Sequence, residues 1–322
     1  MSAVVQALLM AGASAAVTMP PFSGSRGLFA GGDTGSASVS GCKYITIATT
    51  SNSSDFGTQP ATLRDSAGAS NGTRCLFAGG YTYPTSPGYQ SRIDYFVAAT
   101  TGNSTLFGSL SGNKGLIGGC SDGTTGLFGG GTNGSTYQNA TEKVTIATTG
   151  NAVAGPNLTG TIAYISACAS TARGIFHGGY KYTGSYANTN EIQYFTFASL
   201  ATATSFGNLS AAARDNASAS DNSKALIALG MTTAATAAIE YITIATTGNS
   251  ASWGNLSAAR NQVAGCANAT RAVFGGGLES GSKVATIEYN DFSSASNSTN
   301  FGNLRWSGSN QAVGDTAAAS GA

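Results

Sequence analysis

The chain of 322 residues has little charge, almost no histidine and no long apolar run. Charged residues make up 9% of it, 15 Lys and Arg against 14 Asp and Glu. A net charge of +1 with no basic cluster excludes an electrostatic surface for nucleic acid or an anionic membrane. His177 is the only histidine, so a metal centre made of several imidazoles is excluded. The five cysteines, Cys42, Cys75, Cys120, Cys168 and Cys266, are odd in number and have no Cys-x-x-Cys spacing. That leaves zinc unsupported and reads as small buried thiols in a reducing compartment. No GxxxxGK[ST] phosphate loop occurs, and no apolar stretch is long enough to cross a bilayer. Hydrophobic residues still amount to 41%, enough for a packed core rather than a disordered polymer.

What the chain has in quantity is glycine, 45 residues, and much of it recurs. A small, apolar run ends in a glycine pair or its remnant at Gly27 to Gly32, Cys75 to Gly80, Gly126 to Gly131, Gly174 to Gly179, Ala225 to Gly230 and Ala272 to Gly277. The starts lie 48, 51, 48, 51 and 47 residues apart, so one supersecondary unit is copied head to tail. After each pair comes a polar stretch and then an alternating segment such as Ile93 to Val97 or Ile239 to Ile244, a strand with one buried face. An Ala-Thr-Thr-Gly-Asn turn follows at Ala99, Ala147 and Ala245. An aromatic-glycine pair comes next at Phe56, Phe107, Phe206, Trp253 and Phe301, which the third copy lacks. A small-residue segment then leads into the next unit. Four short strands per unit of this length describe a propeller blade.

The order of these features resembles the kelch repeat: a hydrophobic run and Gly-Gly, a tyrosine-bearing strand, an aromatic, and an arginine before the next unit (Arg64, Arg214, Arg260). The resemblance runs from about residue 26 to 320. It implies an all-β, six-bladed kelch-like β-propeller. Asn310-Gln311-Ala312-Val313-Gly314 repeats Asn261 to Gly265, so Gln311 to Ala317 is expected to pair with Gly27 to Gly31 and close the ring in blade 1. Residues 26–322 form the propeller and residues 1–25 lie outside it as an apolar tail. In that tail Val4, Val5, Leu8, Leu9 and Met10 fall on one side of a helix. They read as an assembly or docking segment, with packing on the propeller itself or a secretory signal as the other readings.

The remaining polar residues read as structural. His177 stands where other units carry Ala or Gly. Arg74, Arg173, Lys224 and Arg271 are expected to pair with Asp94, Glu240 and Glu288 on the adjacent strand. No catalytic, metal or cofactor residue emerges, so the chain reads as no enzyme and needs no cofactor. Loops rich in Ser, Thr, Asn, Gly and Tyr, such as Tyr81 to Pro84 and Tyr180 to Tyr182, suit recognition. The Tyr241 to Asn249 phrase with Trp253 to Leu256 is also similar to kelch-like repeat proteins of tailed-bacteriophage virions. That resemblance implies a non-enzymatic tail-fibre, tail-associated or capsid-decoration protein in a homo-oligomeric assembly. It would contact other virion proteins through its tail and a host-surface glycan or protein through its loops. A bacterial surface or secreted adhesin is the alternative, and a glycan-active enzyme ranks below both.

Overall fold

The computed structural model describes residues 24–84, 88–305, 314 and 316–321. The expected docking residues Val4, Val5, Leu8, Leu9 and Met10 lie outside the described residues. Every regular element among those described is a β-strand, and small antiparallel sheets stand around an axis in a propeller-like arrangement. Four of them are separate four-stranded sheets. Each runs from the small-residue segment through the glycine-pair strand and the alternating strand to the aromatic-glycine strand. In the second repeat these are Ala67–Ser70, Arg74–Ala78, Arg92–Val97 and Thr105–Ser109. The third and fourth repeats share one nine-stranded sheet instead. There the strands Gln138–Thr145, Val153–Ala163, Tyr186–Thr196 and Thr204–Ala213 are extended, and Tyr180–Tyr182 bridges Val153–Ala163 to Tyr186–Thr196.

The axis explains the composition of the innermost strands. A β-carbon at Gly68 would overlap the Ala318 carbonyl of the neighbouring strand, and one at Gly119 or Gly265 would crowd Gly68 O or Ser218 O. Serines donate across the same gap, Ser218 Oγ to Ala167 O (3.1 Å) and Ser220 Oγ to Ala169 O (2.8 Å). Only Gly, Ala, Ser and Cys fit where strands converge this closely. Farther out, aromatics such as Phe29, Phe77, Phe128, Phe176 and Phe274 are fully buried. Edge-to-face pairs such as Phe56–Phe96 (5.6 Å) and Tyr241–Trp253 (5.2 Å) fill the wider part of the core.

The two glycine motifs also join neighbouring repeats. Gly31 and Gly32 both have positive φ (67° and 118°), which aims Gly32 N at Leu63 O of the next repeat (2.6 Å). Gly80, Gly131 and Gly179 repeat that bond to Lys114, Ile162 and Ala213. At the periphery, a β-carbon on Gly57, Gly108, Gly207, Gly254 or Gly302 would overlap a turn carbonyl of the adjacent repeat. The asparagine of each such turn accepts from the next outer-strand N–H, as in Ser109 N to Asn151 (3.1 Å) and Asn208 N to Asn249 (2.9 Å).

The chain closes on itself as expected, but through different residues. Ala317–Gly321 pairs antiparallel with Arg26–Ala30, Arg26 facing Gly321 and Ala30 facing Ala317. Of the expected closing segment Gln311 to Ala317, Gly314, Thr316 and Ala317 are described, and among these Ala317 takes part in that ladder; the rest of the segment lies outside the described residues. The Asn-Gln match is out of phase. Gly314 bridges Asp33, the place that Arg64, Gly115, Arg214 and Asn261 take in their own repeats. Among the described residues the inner strand therefore follows Gly314.

Two measurements test this account. A chain lacking residues 306–322 should melt at least ~5 °C lower than the full chain, because the first sheet loses its inner strand. Gly207→Ala should cost more than ~1 kcal/mol in chemical denaturation, since the new methyl meets backbone. Gly248→Ala, on the other side of the same contact and with open space at its β-carbon, should be neutral within about 0.5 kcal/mol. Equal effects of the two would refute the close-approach argument.

Candidate functional site

The residues that looked most chemical are used inside the ring. His177 is fully buried and neither ring nitrogen meets a hydrogen-bonding group of the protein. Burial alone lowers its pKa to about 3. All five cysteines are free and buried. Burial raises every thiol, Cys75 and Cys168 to about 12, so none is a nucleophile at neutral pH. Cys266 and Cys120 pack against Gly27 and Gly174 of the next repeat, a large-to-small complementarity between units. Two Gly-x-Ser-x-Gly pentapeptides, Gly68 to Gly72 and Gly119 to Gly123, lie at the turn between two strands. This is not the strand-to-helix turn that exposes a serine nucleophile. Ser121 Oγ donates to Ser70 O, and Ser70 Oγ accepts from Gly72 N (3.0 Å). Among the described residues no group of three or more His, Cys, Asp or Glu side chains is placed to hold a metal ion.

The expected cross-strand ion pairs do not form. Arg74 faces Val97 and Asp94 faces Phe77, an odd offset that puts the two charges on opposite faces of the sheet. Each basic residue instead lies over an aromatic of its own repeat and donates to a carbonyl of the next. Arg74 sits 4.6 Å from the Tyr95 centroid and 2.8 Å from Ala147 O. Arg173 uses Tyr194 and Ile244 O, Lys224 uses Trp253 and Phe292 O, and Arg271 uses Tyr289 and Ala48 O. Arg26 completes the series with Tyr44 and Ala98 O. On the other face the buried carboxylates accept from the preceding repeat. Glu240 takes Ser210 N (3.2 Å) and Glu288 takes Ser257 N (3.0 Å), while Asp94 pairs with Arg92 (2.6 Å). The third repeat has Thr125 and Lys143 in the places of arginine and tyrosine.

What is left over lies along one rim. The expected recognition loops both belong to it, and it extends well beyond them. Arg64 stacks on Tyr81 (5.2 Å) and Tyr83 (5.4 Å) and pairs with Asp33 (2.7 Å). Tyr81 contacts Tyr89 (4.9 Å), and Tyr89 lies beside Gly134 of the third repeat. Tyr137 follows, 4.7 Å from Tyr186 and 6.4 Å from Tyr180. Burial, then the neighbouring phenols Tyr186, Tyr180 and Tyr89, raises its pKa. Tyr180 stacks on Tyr186 (5.8 Å, 16°), and Arg214 covers Tyr180 (5.0 Å) and Tyr164 (6.0 Å). Burial first, and then Tyr137, Asp215 and other neighbours, raise the Tyr164 phenol to about 12. Tyr83, Tyr182 and Tyr186 remain 42%, 50% and 47% exposed.

Arg64, Arg214 and Arg260 are not equivalent, although one motif suggested them. Arg64 and Arg214 occupy matching rim positions. Arg260 lies one residue earlier in its repeat and is buried against Glu288. Sequence reasoning missed Tyr137, Tyr164 and Tyr186. The available signal was that they fall outside the tyrosine position of the alternating strand. Compared with known proteins, the chain matches no family model and no curated sequence.

Burial of His177 predicts an acid-sensitive contribution. Its folded pKa lies below the unfolded value of 6.5, so stability is intact above about pH 6.5 and falls as pH drops toward 3. Between pH 7 and pH 4 the native chain should lose roughly 3 kcal/mol more than His177→Ala, measured by urea unfolding. Parallel pH profiles would show that the imidazole is not desolvated. Any binding activity should survive the same substitution, because other repeats have Ala or Gly there.

Proposed function

We propose that the chain is a six-bladed kelch-like propeller that acts as a non-enzymatic structural and recognition protein of a tailed-bacteriophage virion. The blade count follows from reading the nine-stranded sheet as two blades joined by Tyr180–Tyr182. The ladder Gly118–Ser121, Thr125–Gly129, Gln138–Thr145 and Val153–Ala163 has the strand order of the separate sheets. So does Ser166–Ala169, Arg173–His177, Tyr186–Thr196 and Thr204–Ala213.

One observation carries the recognition reading. The thiols and the repeated charges are accounted for by packing within the ring and the imidazole is shut away from solvent there, whereas the tyrosine and arginine rim is not required by the repeat. Partly exposed tyrosines offer large contact area at low entropic cost. The virion assignment rests on the repeat phrase and the uncharged, loop-rich composition. The residue 1–18 segment would then be the part that engages other virion proteins.

Density-gradient-purified phage particles from the producing host should carry the chain at fixed stoichiometry, read by quantitative mass spectrometry. A chain lacking residues 1–18 should fold and stay soluble but be missing from the particles. Recovery of the full chain only from the cell surface or culture medium would replace the virion reading with the adhesin.

A further inference from the structure

We propose that the rim holds a binding site for a neutral saccharide, in the cleft between the Tyr180–Tyr186 hairpin and the loop at Thr232 and Thr233. This deepens the recognition reading above and rests on it only for the choice of rim. The cleft has a volume of about 590 Å³, within the ordinary range for small-ligand sites. Its walls include Tyr180, Tyr186, Asn188, Arg214, Thr232 and Thr233.

The walls are braced before any ligand arrives. Asn188 Nδ2 donates to Met231 O (3.1 Å) and Thr232 O (2.8 Å), which ties the hairpin to the opposite loop. Asn188 Oδ1 accepts from Arg214 Nη1 (2.9 Å), and the Arg214 Nε lies 3.6 Å from Asp215. The plane of the guanidinium covers Tyr180. Preorganised walls reduce the ordering cost of binding.

The chemistry left available selects the ligand class. No carboxylate lines the cleft, so nothing there favours a cation. The one guanidinium is bonded to Asn188 and its charge is offset by Asp215, so an anion meets less than a full positive charge there. A purely apolar ligand would cover hydroxyls without bonding them, at a desolvation cost. What the cleft offers is the exposed part of the Tyr186 ring, which also contacts Tyr137, Tyr180 and Tyr182, the phenol hydroxyls of Tyr180 and Tyr186, and the Thr233 hydroxyl. Thr232 Oγ1 adds an acceptor, its proton being donated to Ala234 O (3.1 Å). A pyranose fits that set. Its C–H face lies on an aromatic ring, and its hydroxyls exchange hydrogen bonds with neutral hydroxyls that both donate and accept.

The purified full chain should bind members of an array of neutral gluco-, manno- and N-acetylglucosamine oligosaccharides and neutral O-antigen repeats. Saturation-transfer NMR should place the contacted protons on one sugar face. For the best array member, calorimetric titration should show Tyr186→Ala weakening affinity at least tenfold. Tyr186→Phe should weaken it less, by a few-fold, since stacking survives. Tyr83→Ala, at the far end of the rim, should leave it unchanged, and all variants should keep the native melting temperature. The proposal is overturned if no neutral member binds, if only acidic sugars bind, or if Tyr186→Ala binds as the native chain does. It is equally overturned if the rim retains a host protein while retaining no sugar. Because these assays use the isolated chain, their failure leaves the particle assay untouched, and absence from particles leaves sugar binding untouched.

Discussion

A glycine of one repeat and a peptide carbonyl of the next occupy the same few ångströms of space, and the rest of the structure follows from that contact. At Gly57, Gly108, Gly207, Gly254 and Gly302 a side chain of any size would push the neighbouring turn away. Such a displacement would pull the turn asparagine off its N–H and draw the stacked arginine out of reach of its carbonyl. At the axis the same demand appears as strands of Ala, Gly, Ser and Cys. Between these two constrictions, the space is wide enough for Phe and Ile. Spacing is thus set at both ends of each sheet by residues that contribute little apolar area, and aromatic packing fills the gap they define.

The third repeat shows what happens when the contact is released. It has no aromatic-glycine pair, and Thr125 and Lys143 stand in place of the stacking partners. Its outer strand lengthens to Val153–Ala163 and continues through Tyr180–Tyr182 into the fourth repeat. Hydrogen-bonded sheet is added at this junction, where Thr159 N still donates to Gln193 Oε1 of the fourth repeat (2.8 Å). Tyr180, Tyr182 and Tyr186 of the rim lie on this bridging hairpin, where Tyr137 of the third repeat meets them.

The repeat was legible because its constraints are local in sequence: a glycine needing positive φ, an alternating strand, a turn asparagine. The partners of those residues were not legible. Arg74 and Asp94 look like a pair until strand register assigns them to opposite faces. Arg260 resembles Arg64 and Arg214 until a one-residue offset buries it. The closing strand was foreseen but placed too early, since Gly314 takes the bridging place that Asn261 holds in its own repeat. Tyr137 belongs to the third unit and Tyr186 to the fourth, with Tyr164 on the connection between them, so their cluster exists only after the two units are stacked. Within-unit features were thus readable from spacing, whereas between-unit features required the curvature of the assembled ring.

The ladder between Arg26–Ala30 and Ala317–Gly321 joins the beginning and the end of the described chain. Its two sides, paired from Arg26 with Gly321 to Ala30 with Ala317, are far apart in sequence. Bringing such distant segments together costs more loop-closure entropy than pairing adjacent strands. Closure of the arrangement thus depends on one long-range ladder, whereas the strands of the other three four-stranded sheets come from neighbouring stretches of chain.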